Sequence, residues 1–356
     1  MKKLLLDILE DNIVNEAELI QTLIATGKED LEFEIPEGPD LKCLRLMDKP
    51  FLPTLEHLLS TLGNTKEKIY FTTHNWIQDQ SVWPNIQRRS VGPWFADTEK
   101  YFSEMDDKDF TKHFGFFINS SRWHRLYIGT FLHRNYNQKT MMSYRQSHFH
   151  AGSHADLQFD TLMMKLGESK NPQIYNQLSD FFNALPINLE GQFPNDNLGG
   201  AGNYLKLCNW DNQPVPYELT PMYAKFFVDI VAETWHSGRC FMPTEKTVRP
   251  IMTKNPFIAY GPQGYLRNLR KMGFKTFNRW WSEEYDEWPE VQRINLMFDV
   301  MKLIAEKSLD ELKSMYKEMT PVLEHNQNIL KTLSNALANE RVGSIFDFAK
   351  NIANQK

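Results

Sequence analysis

The sequence of 356 residues has few cysteines, no long apolar segment and no strong excess of either charge. Cys43, Cys208 and Cys240 are odd in number and far apart, which argues against a disulfide framework and favours a reducing compartment such as the cytoplasm. No apolar run reaches the roughly 20 residues that a membrane span requires. The 40 Lys and Arg residues against 45 Asp and Glu residues leave a formal charge of −5, which does not indicate a nucleic-acid-binding protein.

Two common enzyme signatures are missing as well. The chain contains neither the Gly-x-x-x-x-Gly-Lys-Ser/Thr loop of P-loop enzymes nor the Gly-x-Ser-x-Gly elbow of α/β-hydrolases. It does contain ample apolar material for a core, with 41% hydrophobic residues. The composition is therefore that of a folded globular protein, and the length favours two domains.

Strand-like and helix-like segments alternate through most of the chain, which predicts βαβ units and parallel sheets. Apolar residues at helical spacing predict helices over residues 2–26 and 51–62, followed by a β-rich run at 68–73. The later elements are expected as strand–helix pairs at 114–118 and 123–136, 140–144 and 155–166, 224–232 and 244–253, and 256–260 and 265–272, then a short strand at 275–277 and helices at 289–307, 308–337 and 340–354.

Residues 186–216 interrupt this alternation. They contain four prolines and the glycine-rich run Gly199–Gly202, which are typical of a loop and mark the expected interdomain region. We therefore expect an α/β fold in two halves, with a helical N-terminal arm at its start. The first half spans residues 1–205 and the second spans 206–307, and a helical C-terminal tail occupies 308–356.

Residues 224–277 carry the most informative pattern. A strand ends at Glu233, and a loop leads to Thr244-Glu245-Lys246 at the start of a helix. A second strand ends in Gly261-Pro262-Gln263-Gly264 before another helix, whose N–H groups and dipole would favour an anion. Ligands of parallel α/β sheets lie beyond the carboxyl ends of the strands, where both polar clusters fall. Thr244 can cap its helix, Glu245 can accept ribose hydroxyls, and four cations can bind phosphate: Lys246, Arg249, Arg267 and Arg270.

Plainer interpretations of the same residues remain open. Glu245 could be an ordinary acid in the first turn of a helix, and the run from Lys246 to Arg249 could be a solvated helix face. Gly261 and Gly264 could belong to a simple turn. Pro250 is awkward for a regular helix, because it lies beyond the first turn.

This segment resembles a known family of enzymes. Glu233, the Thr244-Glu245-Lys246 helix start and the apolar strand ending in Gly261-Pro262 resemble the donor-binding half of glycosyltransferases with two Rossmann-like domains, the GT-B architecture. The likeness is greatest to the α1,3-fucosyltransferase motif. The run 244–251 is also similar to phage-encoded proteins assigned as glycosyltransferases. After the helix, Thr253-Lys254-Asn255 departs from the fucosyltransferase pattern, so the donor sugar and base stay open.

The resemblance implies a GT-B-like fold in which residues 1–205 form the acceptor side and 206–307 bind the nucleotide-sugar. The implied activity is transfer of a sugar from a nucleotide-diphosphate sugar to a hydroxyl of a glycan, or of a hydroxymethylated base in phage DNA. Neither a metal nor a cofactor is expected beside this co-substrate. The expected donor-binding residues are Glu233, Thr244, Glu245, Lys246, Arg249, Gly261, Gly264, Tyr265, Arg122 and Arg125.

Polar residues also follow the predicted strands of the first half. Arg122 and Arg125 begin the helix after strand 114–118, where they could contact a second phosphate or the acceptor, or could simply be exposed arginines. His74 and Asp79 follow the run 68–73. An inverting transfer needs a base near the acceptor hydroxyl, and either residue could serve.

Three histidines favour a different chemistry. His148, His150 and His154 lie close together in sequence and could bind a metal, although their spacing matches no established zinc signature. Ser153 and Asp156 among them also look like helix caps. A metal-dependent hydrolase using these histidines is therefore one alternative function, and a non-catalytic nucleotide- or nucleic-acid-binding protein is another. The oligomeric state is not predicted.

Overall fold

The computed structural model describes residues 2–6, 8–9, 12–35, 41–73, 80–88, 108–118, 120–144, 155–166, 172–187, 222–238 and 240–338. These residues form two parallel sheets, each with its own buried apolar core. The first ten elements are β1 (Lys2–Leu5), β2 (Ile8–Leu9), β3 (Asn12–Ile13), α1 (Glu16–Thr26), β4 (Leu31–Ile35), β5 (Arg45–Leu46), β6 (Lys49–Pro50), α2 (Phe51–Thr61), β7 (Ile69–Thr73) and β8 (Asn85–Arg88).

The first sheet has the order β1-β4-β7-β8, and all its neighbouring strands are parallel. Its core is aromatic around Phe71, whose ring centroid lies 5.6 Å from that of Phe33 and 5.3 Å from that of Trp83. The buried indole N–H of Trp83 donates to the carbonyl of Ile69 at 3.0 Å, so its polar atom is satisfied. The short strands β2, β3, β5 and β6 form a small separate sheet.

The prediction of a helical N-terminal arm over residues 2–26 is wrong for the described residues before Glu16. Residues 2–5 form a strand, and the helix begins only at Glu16. Leu4 and Leu6 are buried, whereas Leu5 between them is 55% exposed. This alternation has the period of a strand, and the paired leucines of the sequence concealed it.

The second sheet is built from later segments. Its elements, in chain order, are β9 (Lys112–Ile118), α3 (Trp123–Tyr136), β10 (Thr140–Tyr144), α4 (Ala155–Lys165), α5 (Pro172–Asn183), β11 (Phe226–Ala232), α6 (Glu245–Met252), β12 (Phe257–Tyr260), α7 (Tyr265–Lys271), α8 (Glu290–Ala305) and α9 (Leu309–Ala338). The strand order is β10-β9-β11-β12, and every pair is parallel. The predicted α/β class with parallel sheets is confirmed, and the arrangement of two Rossmann-like domains stays a prediction.

The order of this sheet contains a reversal. The chain leaves β9 through α3 to reach β10 on one side, and leaves β11 through α6 to reach β12 on the other. Helix α3 packs with α4, α5 and α8, whereas α6 packs with α9. Right-handed crossovers in opposite directions place their helices on opposite faces of the sheet. Such folds usually have a ligand-binding crevice where the strand order reverses, which here is the position between the carboxyl ends of β9 and β11.

The sequence places a domain boundary between residues 205 and 206. In the structure, β9 and β10 on one side of that position share a sheet and a core with β11 and β12 on the other. The change from the first sheet to the second lies between β8 and β9. The predicted boundary thus runs through a sheet.

Two further predictions concern the C-terminal part. The short strand expected at 275–277 is not formed, because the backbone N–H and carbonyl of Lys275 bond to the side chain of Asn326 at 2.7 and 2.8 Å. The two helices expected from 289 to 337 are confirmed as α8 and α9, and the helix expected at 340–354 lies outside the described residues. Within the described part of the chain, no helix combines the length and apolarity needed to cross a membrane.

Candidate functional site

Polar side chains from α3, α6 and the end of β11 line the crevice at the reversal of strand order. We call this site the switch-point crevice and define it by Arg122, Arg125, Thr234, Glu245 and Lys246. Arg122 and Arg125 come from the start of α3, and Thr234 follows β11. Glu245 and Lys246 open α6, whose cap is the Thr244 side chain as the sequence predicts.

Arg125 and Lys246 meet at the hydroxyl of Thr234. The buried Arg125 guanidinium donates to the carbonyls of Ala232 (3.2 Å) and Ser120 (2.6 Å) and to Thr234 Oγ1 (3.3 Å). Lys246 Nζ donates to the same Oγ1 at 3.2 Å. Burial, followed by the neighbouring Arg122, lowers the pKa of Arg125 to about 10, so the guanidinium stays charged at neutral pH.

Glu245 is the carboxylate partner of these cations. Lys246 Nζ lies 2.6 Å from its Oε1, and Arg249 Nη2 lies 4.0 Å from the same atom. Burial opposes its ionisation, but Lys246 and Arg249 outweigh this effect, and the pKa of Glu245 falls to about 2. Glu245 is therefore a half-buried counterion rather than a solvated first-turn acid.

Glu233, in contrast, bonds to the interior of the protein. Its carboxylate is only 1% exposed, and it accepts the N–H of Thr244 at 3.0 Å and the Thr244 hydroxyl at 2.6 Å. The hydroxyls of Thr247 and Tyr265 lie 2.6 and 2.8 Å from Oε1 and 2.7 Å from each other. Burial and Glu233 hold the pKa of Tyr265 well above its ordinary value. These bonds tie the end of β11 to α6 and α7, so we assign Glu233, Thr247 and Tyr265 a positioning role.

The glycine turn before α7 is also occupied from within. Gly264 has a left-handed backbone (φ 76°), and the N–H groups of Leu266 and Arg267 at the start of α7 donate to the buried carboxylate of Asp286 at 3.0 and 3.1 Å. The anion expected at this helix start is thus supplied by the protein itself. The Gly261 carbonyl accepts from Arg293.

The two cations of α7 pair away from the crevice. Arg267 bonds to Glu287 at 2.7 Å, and Arg270 bonds to Glu283 at 2.9 Å. The structure therefore separates the predicted phosphate-binding cations: Lys246 and Arg249 stay with Arg122 and Arg125, whereas the α7 arginines do not.

Two buried histidines below the crevice were missed in the sequence. The rings of His124 and His236 lie 4.0 Å apart, and the Trp123 indole N–H donates to His236 Nε2 at 2.8 Å. His124 Nε2 lies 3.0 Å from the carbonyl of Glu233, which can only accept, so this nitrogen carries the proton. Burial is the main cause that holds the pKa of both rings well below the ordinary value, and both are neutral at neutral pH. The sequence could have indicated His124, because it lies between Arg122 and Arg125, which were predicted as site residues.

Some buried polar atoms without a hydrogen-bond partner come from the segments that form the crevice. Among the described residues, they include Arg122 Nε, His124 Nδ1 and Trp235 Nε1, all from segments that follow β9 or β11. Most buried polar atoms in proteins are hydrogen-bonded, and exceptions concentrate where a water or ligand binds. These atoms therefore support a ligand site at the crevice.

Several predicted residues lie outside the described part of the chain: His74, Asp79, His148, His150, His154 and the run Gly199–Gly202. Within the described ranges, no group of three His, Cys, Asp or Glu side chains could hold a metal ion. One Asp-x-Asp triplet, Asp107-Lys108-Asp109, is present in the sequence. Asp109 pairs with Lys225 at 3.2 Å before the amino end of β9, at the edge of the sheet opposite the crevice.

Comparison of the chain with known proteins finds no matching family model, no matching curated protein and no matching solved structure. The described residues define an α/β protein with a basic crevice at the switch point of a parallel sheet. Its function is therefore inferred from its own site.

Proposed function

We propose that this protein is a glycosyltransferase that holds the diphosphate of a nucleotide-diphosphate sugar in the switch-point crevice and transfers the sugar to an acceptor hydroxyl. One observation carries the proposal. The charged groups of Arg125 and Lys246, from two different helices, converge on Thr234 between the carboxyl ends of β9 and β11. Arg122 adds a third cation close enough to lower the pKa of Arg125.

The charge balance of the crevice favours an anion. Lys246 pairs with Glu245, and Arg125 interacts with Glu245, with the fully bonded Glu233 and with its neighbouring cation Arg122. A diphosphate would replace the weak bonds of both cations to the Thr234 hydroxyl by charge-assisted bonds, which are shorter and stronger. The unsatisfied Nε–H of Arg122 is a further donor for the same group.

The same cations suit the chemistry of sugar transfer. Negative charge develops on the diphosphate as the bond to the sugar breaks, and donors fixed in advance stabilise that charge. Burial and the carbonyls of Ala232 and Ser120 hold Arg125 in place before the ligand arrives. His74 and Asp79 stay the predicted bases, and a glycan or a hydroxymethylated base of DNA stays the predicted acceptor.

A panel of nucleoside diphosphates and nucleotide-sugars, with chelator present, tests the proposal in two stages. A ligand that binds only the folded protein stabilises it by about 2.7 kcal/mol at 100 times its Kd, so we expect one nucleotide series to raise the melting temperature. The nucleotide-sugar of that series is then incubated with candidate acceptors, and mass spectrometry should detect acceptors heavier by one sugar.

Each stage has an outcome that contradicts the proposal. If no nucleotide stabilises the protein, the proposal that the crevice binds a nucleotide diphosphate is refuted. Stabilisation without transfer to any acceptor would instead support the non-catalytic nucleotide-binding alternative. If the chelator prevents stabilisation and an excess of a divalent metal restores it, the metal-independent mechanism is contradicted.

A further inference from the structure

Asp229 is a buried acid on β11 that the proposed mechanism does not use. Its side chain is 5% exposed and lies in a strand whose other six residues are uncharged. A cavity of about 10 Å³ lies beside it, lined by Lys246 and Arg249 from α6. Such a volume is close to that of a single water molecule, so the acid and the two cations line one small space.

Charges of alternating sign connect Asp229 to the crevice. Arg249 lowers the pKa of Asp229 and also that of Glu245, so it interacts with both acids. Glu245 in turn bonds to Lys246, and Lys246 shares the Thr234 hydroxyl with Arg125. The series therefore begins with a buried acid and ends in an excess of positive charge.

Arg249 and Lys246 are the cations that line the cavity beside Asp229. Its register partners on the neighbouring strands are Gly115 on β9 and Phe257 on β12, and neither carries a charge. Tyr223 donates a hydrogen bond to it, and α6 contributes Arg249 and Lys246. Burial nevertheless raises the pKa of Asp229 to about 7, with Arg249 and Tyr223 opposing the rise.

We infer that Asp229 is a positioning residue of the anion site, which takes up a proton from solvent when an oxyanion binds in the switch-point crevice. The inference rests on the anion site of the proposed function. A bound anion draws Lys246 towards itself and away from Asp229, or repels the Asp229 carboxylate directly, and either effect favours the neutral acid. Anion affinity then increases as the pH falls through neutrality.

Calorimetry with sulfate tests this coupling, because the charge of sulfate is constant near neutral pH. Titrations at constant ionic strength in two buffers with different ionisation enthalpies report how many protons are taken up. Near the Asp229 pKa of about 7 we expect a fraction of one proton per sulfate bound. From about one pH unit below to one above, affinity should fall roughly three- to tenfold, because the charge of Asp229 opposes the anion only above its pKa.

Asp229→Asn should bind sulfate with no proton uptake and with an affinity that is nearly constant over this range. Asp299→Asn, a control on the exposed face of α8, should behave like the unaltered protein. Asp229→Ser is a second variant that cannot titrate, for use if the Asn variant does not fold.

Equal proton uptake in the Asp229 variants, or none in the unaltered protein, would overturn the inference. Absence of saturable sulfate binding would overturn it too, because no anion site would exist. Failure of this inference can be distinguished from failure of the proposed function. Proton-coupled sulfate binding without any nucleotide-sugar transfer would refute the transferase function but would still support the role of Asp229.

Discussion

The buried carboxylate of Glu233 provides a quantitative test of how the crevice is built. Its two oxygens accept the N–H and the hydroxyl of Thr244, so one side chain ties the end of β11 to the start of α6. Replacement by Ala removes these acceptors and leaves the buried Thr244 N–H unsatisfied. Because a hydrogen bond to a charged group contributes about 1.5–3 kcal/mol, we expect Glu233→Ala to lower the free energy of unfolding by about 4 kcal/mol.

Glu233→Gln separates the shape of the side chain from its charge. The amide can keep its oxygen at the Oε1 position, but its NH₂ group then faces the Thr244 hydroxyl, which must accept instead of donate. We expect a smaller loss of about 2 kcal/mol. Urea denaturation followed by circular dichroism measures both variants, with Ala and Gln at the exposed Glu324 of α9 as matched controls.

The controls also define the result that would refute the reasoning. Substitutions at exposed positions usually change the free energy of unfolding by less than about 0.5 kcal/mol. If Glu233→Ala falls within that range, the carboxylate does not hold α6 and α7 in place. Glu233 would then be available for the direct ligand contact that the sequence resemblance implies.

Two further predictions concern other buried acids, both measured by urea denaturation. Asp229 has a folded pKa of about 7 against an ordinary 3.8, so the stability associated with its neutral form is complete below about pH 4 and is lost as the pH rises through 7. The free energy of unfolding of Asp229→Asn, measured relative to that of the unaltered protein, should therefore rise by about 4 kcal/mol from about pH 4 to pH 8. Parallel pH profiles of the two proteins would contradict this. Asp286→Ala removes the acceptor for Leu266 and Arg267 at the start of α7 and should cost about 1–2 kcal/mol, whereas a cost no larger than that of Asp299→Ala would show that the cap is unimportant.

Local patterns predicted many of the elements well. The helices at 123–136 and 245–252 and the strand at 140–144 agree with the sequence within one residue, because each has a clear periodicity and a polar or capping boundary. The first strand was missed because paired leucines satisfy both the helical and the strand period. The expected strand at 275–277 failed because a side chain from α9, Asn326, bonds to its backbone.

The sequence predicted several residues of the site, but it did not predict how they contact one another. Thr244, Glu245 and Lys246 carry a local signal, since a capping residue precedes charges at a helix start. That Arg125 meets Thr234 depends on the pairing of β9 with β11, which brings together residues 109 positions apart. Asp286 reaches α7 from 20 residues away, and no local pattern marks it. Asp229 did carry a signal, because a lone acid within an apolar strand is seldom buried without a reason.

The central claim, that the cations of the switch-point crevice bind a diphosphate, is tested most directly at Lys246. The measurement is the calorimetric affinity of the nucleoside diphosphate that stabilises the protein most, for the unaltered protein, Lys246→Met and Lys302→Met. Lys302 is half-exposed on α8 and pairs with Asp299, so its substitution makes the same charge change away from the crevice. We expect Lys246→Met to weaken binding about 10- to 100-fold, the equivalent of one charge-assisted bond, and Lys302→Met to leave it unchanged. Unaltered affinity in Lys246→Met would contradict the account.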